Sequence, residues 1–140
     1  MAIISLFYRT LGQNVSPEDQ GVTLNIKQLI PEHSGFGSGT QLTLLIGTIL
    51  SRLHSLPANT RDIAQQLGRG ARSGVGIASF DLGGFIIDGG NSTSSESTSP
   101  PPLLASPTFP NDWRIVLIMD QQHCGVHGQQ ENQAFKTLST

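Results

Sequence analysis

The sequence is poor in charge, in cysteine and in long apolar runs, and each shortage excludes a class of protein. Charged residues make up 13% of the 140 residues, about half the usual share, and the net charge of −2 excludes an ordinary basic nucleic-acid surface. The single cysteine, Cys124, excludes an intrachain disulfide. The longest apolar run, 42–50, is too short and interrupted to cross a bilayer.

The amino-terminal residues do not read as a secretion signal. Residues 1–8 are apolar, but the first positive charge, Arg9, follows them, whereas a signal peptide places its charge first. Together with the composition, this predicts a cytoplasmic chain of the α+β class with neither nucleic-acid nor membrane partners.

A predicted strand and a predicted helix flank a glycine-rich loop in the first half of the chain. Apolar and polar residues alternate over 22–30, which predicts a strand with one buried face that stops at Pro31. Apolar residues recur at helical spacing over 42–53, which predicts a helix with one buried face. The members of that face are Leu42, Leu45, Ile46, Ile49, Leu50 and Leu53.

The second half of the chain has weaker patterns. Thr60 is predicted to cap a short helix that Gly68 closes, and two short strands are predicted at 77–80 and 85–88 around a glycine turn. Residues 91–102 offer no apolar side chain to a core, so a mobile linker is expected there. A buried strand is predicted at 113–119, a polar turn at 121–128 and the start of a helix at 131–138. The predicted units are a poorly patterned segment (1–21), a glycine-loop core (22–90), a Ser/Pro-rich loop (91–106), and a buried strand with the start of a further segment (107–140).

The glycine-rich loop is the strongest candidate for a phosphate-binding site. A helix start presents unpaired backbone N–H groups, and glycines let the backbone approach an anion closely. The loop is neither a Walker loop nor a dinucleotide fingerprint, because the residues that follow do not fit either pattern. The alternative is a tight turn whose glycines serve packing alone. The candidate phosphate-binding residues are Ser34, Gly35, Gly37, Ser38, Gly39 and Thr40.

A second loop, 69–76, carries two arginines among glycines. Arg69 and Arg72 are candidate catalytic residues, because arginine binds phosphate oxygens through paired hydrogen bonds. The flanking glycines would let the loop fold around a ligand, so Ser73 and Gly74 join the phosphate-binding candidates. The alternative is a pair of solvated surface arginines.

The histidines fall into three groups. His33 lies inside the glycine loop, where it could donate to an anion or transfer a proton, and it is a candidate catalytic residue. His54 lies at a predicted helix end, where a cation is favourable, and is assigned a structural role. His123, Cys124 and His127 lack paired metal-ligand spacing, so no metal site is predicted from them.

Two segments resemble a known family. Residues 31–42, PEHSGFGSGTQL, resemble the second motif of the GHMP kinase superfamily, P-x-x-x-G-L-G-S-S-A, at Pro31, Gly35, Gly37 and Ser38. Residues 68–90 resemble one branch more closely, the β-ribofuranosylaminobenzene 5′-phosphate synthase family of tetrahydromethanopterin biosynthesis. The resemblance implies a partial GHMP kinase-like α+β domain, with helices packed on one face of a mixed or antiparallel sheet.

The resemblance also implies a reaction. The family condenses 4-aminobenzoate, or its 4-hydroxy analogue, with phosphoribosyl pyrophosphate, releasing carbon dioxide and pyrophosphate, normally with Mg²⁺ whose ligands are unknown here. Its members are more than twice this length, so a truncated or fragmentary member is expected, with a homodimer or a partner segment to complete it. The partners expected are therefore phosphoribosyl pyrophosphate and an aromatic acid.

One departure from the kinases separates the alternatives. The kinase members place an aspartate where this chain has Gly76, in the run Ser73-Gly74-Val75-Gly76. That aspartate helps activate an acceptor hydroxyl, which an aromatic-carbon nucleophile does not need. Gly76 thus favours the synthase over an ATP-dependent small-molecule kinase. An inactive fragment that only binds phosphate is the third alternative.

Overall fold

A computed structural model of the chain describes residues 2–90 and 99–118, together with residues 125, 130, 133, 134 and 137. The described part combines helices with a two-stranded antiparallel sheet, which confirms the predicted α+β class. In chain order its elements are α1 (Ala2–Arg9), a 3₁₀ turn (Pro17–Asp19), α2 (Ser38–Leu53), α3 (Thr60–Gln66), α4 (Val75–Leu82), β1 (Ile87–Asp88) and β2 (Leu103–Ala105). None of the described helices is long and apolar enough to cross a membrane.

Helix α2 is the centre of the core, since α1, α3 and α4 all pack against it. The buried apolar residues come from these four helices and from the residue after α3: Phe7, Leu44, Ile46, Leu50, Ile63, Ala64, Leu67 and Ile77. Helix α1 was not predicted, although it is amphipathic: the polar Ser5 and Arg9 lie four positions apart on its exposed side, and Phe7 is buried. Ile63, Ala64 and Leu67 form the buried side of α3 and of the residue that follows it.

The buried face of α2 differs from the predicted one. Leu45, Ile49 and Leu53 are 48%, 45% and 60% exposed, whereas Thr43, Gly47 and Ser51 are buried. The reason is the close approach of α3 at Gly47, where an added Cβ would overlap Ile63 Cγ2. Small side chains therefore face the neighbouring helix, and Leu45, Ile49 and Leu53 are displaced toward the solvent, while Ile46 and Leu50 of the predicted face are buried.

The predicted strand at 22–30 is wrong. These residues form no strand, and the described part of the chain places no strand beside them. Leu24, Ile26, Leu29 and Ile30 are all exposed. An alternating pattern yields a strand only where a neighbour supplies the pairing backbone groups.

Other local predictions need correction between residues 59 and 88. Asn59, not Thr60, caps α3, because its side chain accepts the Asp62 N–H at 2.9 Å. The residues predicted as a strand at 77–80 belong to α4, whose carboxyl end is capped by Gly83, a residue with φ of 64°. Of the second predicted strand only β1 forms, and it pairs with β2, beyond the predicted linker.

The apolar run at 113–118 is exposed and forms no strand, with Ile118 94% exposed, so the predicted buried strand is wrong there. Within the predicted linker, Pro100 and Pro101 are buried, so its carboxyl end contributes to packing. Residues 91–98, Met119 and most of the predicted turn and helix at 121–138 lie outside the described residues. Those described between 130 and 137 are helical.

Candidate functional site

The amino terminus of α2 presents backbone donors. Gly37 is the N-cap, with φ of 66°, and it has no side chain that could cap the helix. The first helical N–H to be bonded is that of Gln41, which donates to the Gly37 carbonyl at 3.0 Å. The N–H groups of Ser38, Gly39 and Thr40 precede that bond, and no acidic residue lies in the first turn. This is the arrangement that favours an anion.

Arg69 lies beside this helix start. Its Nε donates to Thr43 Oγ1 at 3.1 Å, and its two Nη atoms lie 3.6 Å from the position a Cβ of Gly39 would take. Thr43 is buried, and its hydroxyl also donates to the Gly39 carbonyl at 2.7 Å. The guanidinium is thereby held next to the first turn of α2.

A cleft of about 1040 Å³ opens between α2 and the segment 24–30. One end is polar and carries the glycine loop and the arginines, and the wall along α2 is apolar. Eight predicted site residues line this cleft: His33, Gly35, Gly37, Ser38, Gly39, Thr40, Arg69 and Arg72. The apolar wall comes from Leu42, Leu45, Ile46 and Ile49.

Three predicted site residues do not line the cleft. Ser34 donates its hydroxyl to the Pro31 carbonyl at 2.7 Å, inside the glycine loop. Ser73 and Gly74 instead bind the Asp88 carboxylate: the Ser73 hydroxyl donates at 2.9 Å and the Gly74 N–H at 2.7 Å, both to Oδ2. These hydrogen bonds lower the pKa of Asp88, the Ser73 bond most. The amino terminus of α4 therefore already holds an anion that belongs to the chain.

The amino termini of α2 and α4 lie side by side. A Cβ added to Gly76 would lie 3.0 Å from Thr40 Cγ2, and Gln41 Nε2 donates to the Gly76 carbonyl at 2.8 Å. Two positive helix ends thus converge, and glycine at position 76 lets them approach.

Two of the histidines, His33 and His54, take part in hydrogen bonds between distant parts of the chain. His33 has a φ of 55°, and its carbonyl accepts the Gly125 N–H at 3.0 Å. His54 Nε2 lies 3.0 Å from the Tyr8 hydroxyl, in keeping with its predicted structural role. No cluster of three metal-ligating side chains occurs among the described residues, and His123, Cys124 and His127 lie outside them.

Sequence reasoning missed Thr43, Gln41 and Asp88. Each is a polar residue whose partner lies 14 to 35 positions away in the chain. The one local signal was the polar Thr43 within an apolar helix face.

A family comparison agrees with this architecture. The model for the GHMP kinases N terminal domain matches residues 1–84, which include α1 to α4 and both loops. The chain belongs to this GHMP family.

Relatives of this GHMP chain carry a more specific name. Three proteins named beta-ribofuranosylphenol 5'-phosphate synthase are similar to this chain, with 36% identity in Methanothermobacter thermautotrophicus, 39% in Methanocaldococcus jannaschii and 37% in Archaeoglobus fulgidus. Each match covers 84% of this chain and 39–40% of the relative. The resemblance to the synthase branch is therefore confirmed, and the chain spans about two fifths of the length of these curated relatives.

Proposed function

We propose that this chain forms the phosphate-binding part of a β-ribofuranosylphenol 5′-phosphate synthase. In the proposed reaction an aromatic ring carbon forms a bond to the sugar carbon of phosphoribosyl pyrophosphate. The bond to pyrophosphate breaks, and the ring loses its carboxylate as carbon dioxide. The relatives' name specifies a phenol, which favours 4-hydroxybenzoate over 4-aminobenzoate as the acceptor.

The observation that carries the proposal is the polar end of the cleft, where the free N–H groups of α2 face the same space as Arg69 and Arg72. Pyrophosphate leaves with concentrated negative charge while the sugar carbon becomes cationic. Fixed backbone donors and guanidinium groups stabilise such a charge separation without reorganising.

The apolar wall of the cleft supports an aromatic co-substrate. Leu45 and Ile49 point away from the core of α2 and line the cleft. A benzoate ring placed there would bury apolar surface beside the anion-binding end, which brings ring carbon and sugar carbon together.

The expected Mg²⁺ fits this cleft only together with a phosphorylated ligand. Among the described residues Glu32 is the one carboxylate that lines the cleft, and Mg²⁺ is commonly held by one or two carboxylates plus substrate phosphates. Glu32 would hold the ion, which would neutralise charge on the pyrophosphate.

Gly76 weighs against the kinase alternative. The aspartate that the kinase members place here is absent, and the position is tightly packed, since a Cβ added to Gly76 would lie 3.0 Å from Thr40 Cγ2. General-base assistance contributes about 10²–10⁴-fold to such reactions, so we propose no transfer of phosphate from ATP to an alcohol.

Calorimetric titration of the 140-residue chain with phosphoribosyl pyrophosphate and with ATP tests the proposal. We expect the first ligand to bind more tightly. Arg72→Ala should weaken the binding of phosphoribosyl pyrophosphate about 10- to 150-fold, which corresponds to the loss of one charge-assisted contact. Arg9→Ala, which removes an exposed arginine at the end of α1, should not weaken it.

Gly37→Val should abolish binding, because the left-handed φ of 66° strains a β-branched residue.

The control for the glycine variant is Gly21→Val, since Gly21 has open space around its Cα and no positive φ. If Gly37→Val and Arg72→Ala fold and bind like the parent, the glycine loop is a turn and not a phosphate site. Tight binding of ATP without phosphoribosyl pyrophosphate would favour the kinase.

A further inference from the structure

We propose that Asp88 is a positioning residue: its carboxylate occupies the amino terminus of α4 in place of a ligand phosphate and holds the loop that carries Arg72. This inference rests on the proposed function, because it explains how the arginine loop is fixed beside the glycine loop. The inference also goes beyond the proposed function, since the resemblance assigns Asp88 no role.

The carboxylate uses both of its oxygens. Oδ2 accepts the Ser73 hydroxyl and the Gly74 N–H, and Oδ1 accepts the Gly90 N–H at 3.2 Å. The Ser73 oxygen in turn accepts the Val75 N–H at 3.1 Å. Donors that a phosphate would use at this helix start are therefore already satisfied by the chain itself.

Asp88 is itself anchored from the other side. It belongs to β1, which pairs with β2, and the Gly89 N–H donates to the Pro102 carbonyl at 2.8 Å. A Cβ on Gly74 would lie 2.5 Å from the Pro101 carbonyl oxygen. The loop from Arg69 to Gly74 is thus fastened at its carboxyl end to the sheet, two residues after Arg72.

The amino termini of α2 and α4 are adjacent, so the Asp88 contact at α4 affects where a phosphorylated ligand binds. Thr40 and Gly76 bring the amino termini of α2 and α4 together, so two anion positions would compete for one polyanionic ligand. With Asp88 occupying the α4 position, a phosphorylated ligand is directed to α2, where Arg69 and Arg72 line the same cleft.

Chemical rescue tests this role in the 140-residue chain. We expect Asp88→Ala to lower the thermal midpoint and to weaken phosphoribosyl pyrophosphate binding about tenfold or more. Added acetate should restore both, since a free carboxylate can take the vacated position. The matched control is Asp81→Ala, whose carboxylate accepts the Thr60 hydroxyl near the far end of α4; acetate should not restore that variant.

Asp88→Asn keeps the side-chain shape without the charge and serves if the alanine variant does not fold. Amide hydrogen exchange at Gly74 should then be faster than in the parent. The inference is overturned if acetate acts equally on the Asp88 and Asp81 variants, or if Gly74 exchange is unchanged in Asp88→Asn. A parent chain that binds no phosphoribosyl pyrophosphate contradicts the proposed function instead, and the acetate effect on stability still decides the role of Asp88.

Discussion

Thr43 connects the helix that carries the anion site to the arginine beside it. Its buried hydroxyl donates to the Gly39 carbonyl and accepts from Arg69 Nε. Thr48, five residues further along α2, has a buried hydroxyl with no hydrogen-bond partner within the described part of the chain. The two residues are of the same type and lie in the same helix. Comparing their variants therefore separates the effect of the Thr43 hydrogen bonds from the effect of replacing a threonine.

We expect Thr43→Val to lower the free energy of unfolding by about 1 kcal/mol and to weaken phosphate-ligand binding, because Arg69 loses its anchor. Thr48→Val should leave both unchanged or raise stability slightly, since a buried unsatisfied hydroxyl costs free energy. Thermal denaturation and calorimetric titration of both variants provide the measurements. Equal losses in the two variants would show that the Thr43 hydroxyl does not position Arg69.

At the scale of elements, the contact between α2 and α3 depends on the absence of a side chain at Gly47. An added Cβ there would overlap Ile63 Cγ2 and lie 2.9 Å from Leu67 Cδ1. Both neighbours are buried, and Ile63 is stiff because it is β-branched. The helices therefore have little room to adjust separately.

Overpacking in Gly47→Ala should cost about 1–3 kcal/mol, and the roughly 1 kcal/mol that alanine gains over glycine in a helix offsets part of it, so we expect a net destabilisation of up to about 2 kcal/mol. Gly21→Ala, which meets no atom within 4 Å, is the control and should change little. Urea denaturation of the two variants measures the difference. A Gly47→Ala variant that is more stable than the parent by about 1 kcal/mol, the full helix-propensity gain, would mean that α3 shifts away from α2 without cost.

The predictions were right for two of the four helices described above, α2 and α3, whereas α1 was missed and residues 77–80 of α4 were predicted as a strand. The regular spacing within 42–53 and the glycine at position 68 are local features, and they predicted α2 and α3 well. The alternation at 22–30 and the apolar run at 113–118 needed neighbours that local sequence does not specify, and neither forms a strand. Even for α2 the buried face depended on α3, which approaches at Gly47.

The candidate site also has one part that the sequence predicted and another part that it did not. The glycine loop and the α2 start follow from adjacent residues, so the sequence indicated them directly. The anchors of the arginine loop could not be predicted, because Arg69 meets Thr43 across 26 positions and Gly74 meets Asp88 across 14. Only the folded chain brings these partners together.

At the scale of the whole molecule, much apolar surface faces solvent. Besides Leu45, Ile49 and Leu53 of α2, the run from Trp113 to Ile118 has every one of its residues exposed. Contiguous exposed apolar surface favours association, because burying it releases about 25 cal/mol per Å². The expected homodimer or partner segment would cover such a surface.

We expect the 140-residue chain to associate with increasing concentration in sedimentation equilibrium. Replacing Val116 and Ile118 by asparagine should weaken that association, since these side chains are 81% and 94% exposed and removing them costs no core packing. Thr108→Asn, at another exposed position near this run, is the control and should associate like the parent. A parent chain that stays monomeric at all concentrations would contradict the prediction. If the double variant associates as strongly as the parent, the run at 113–118 does not form the contact.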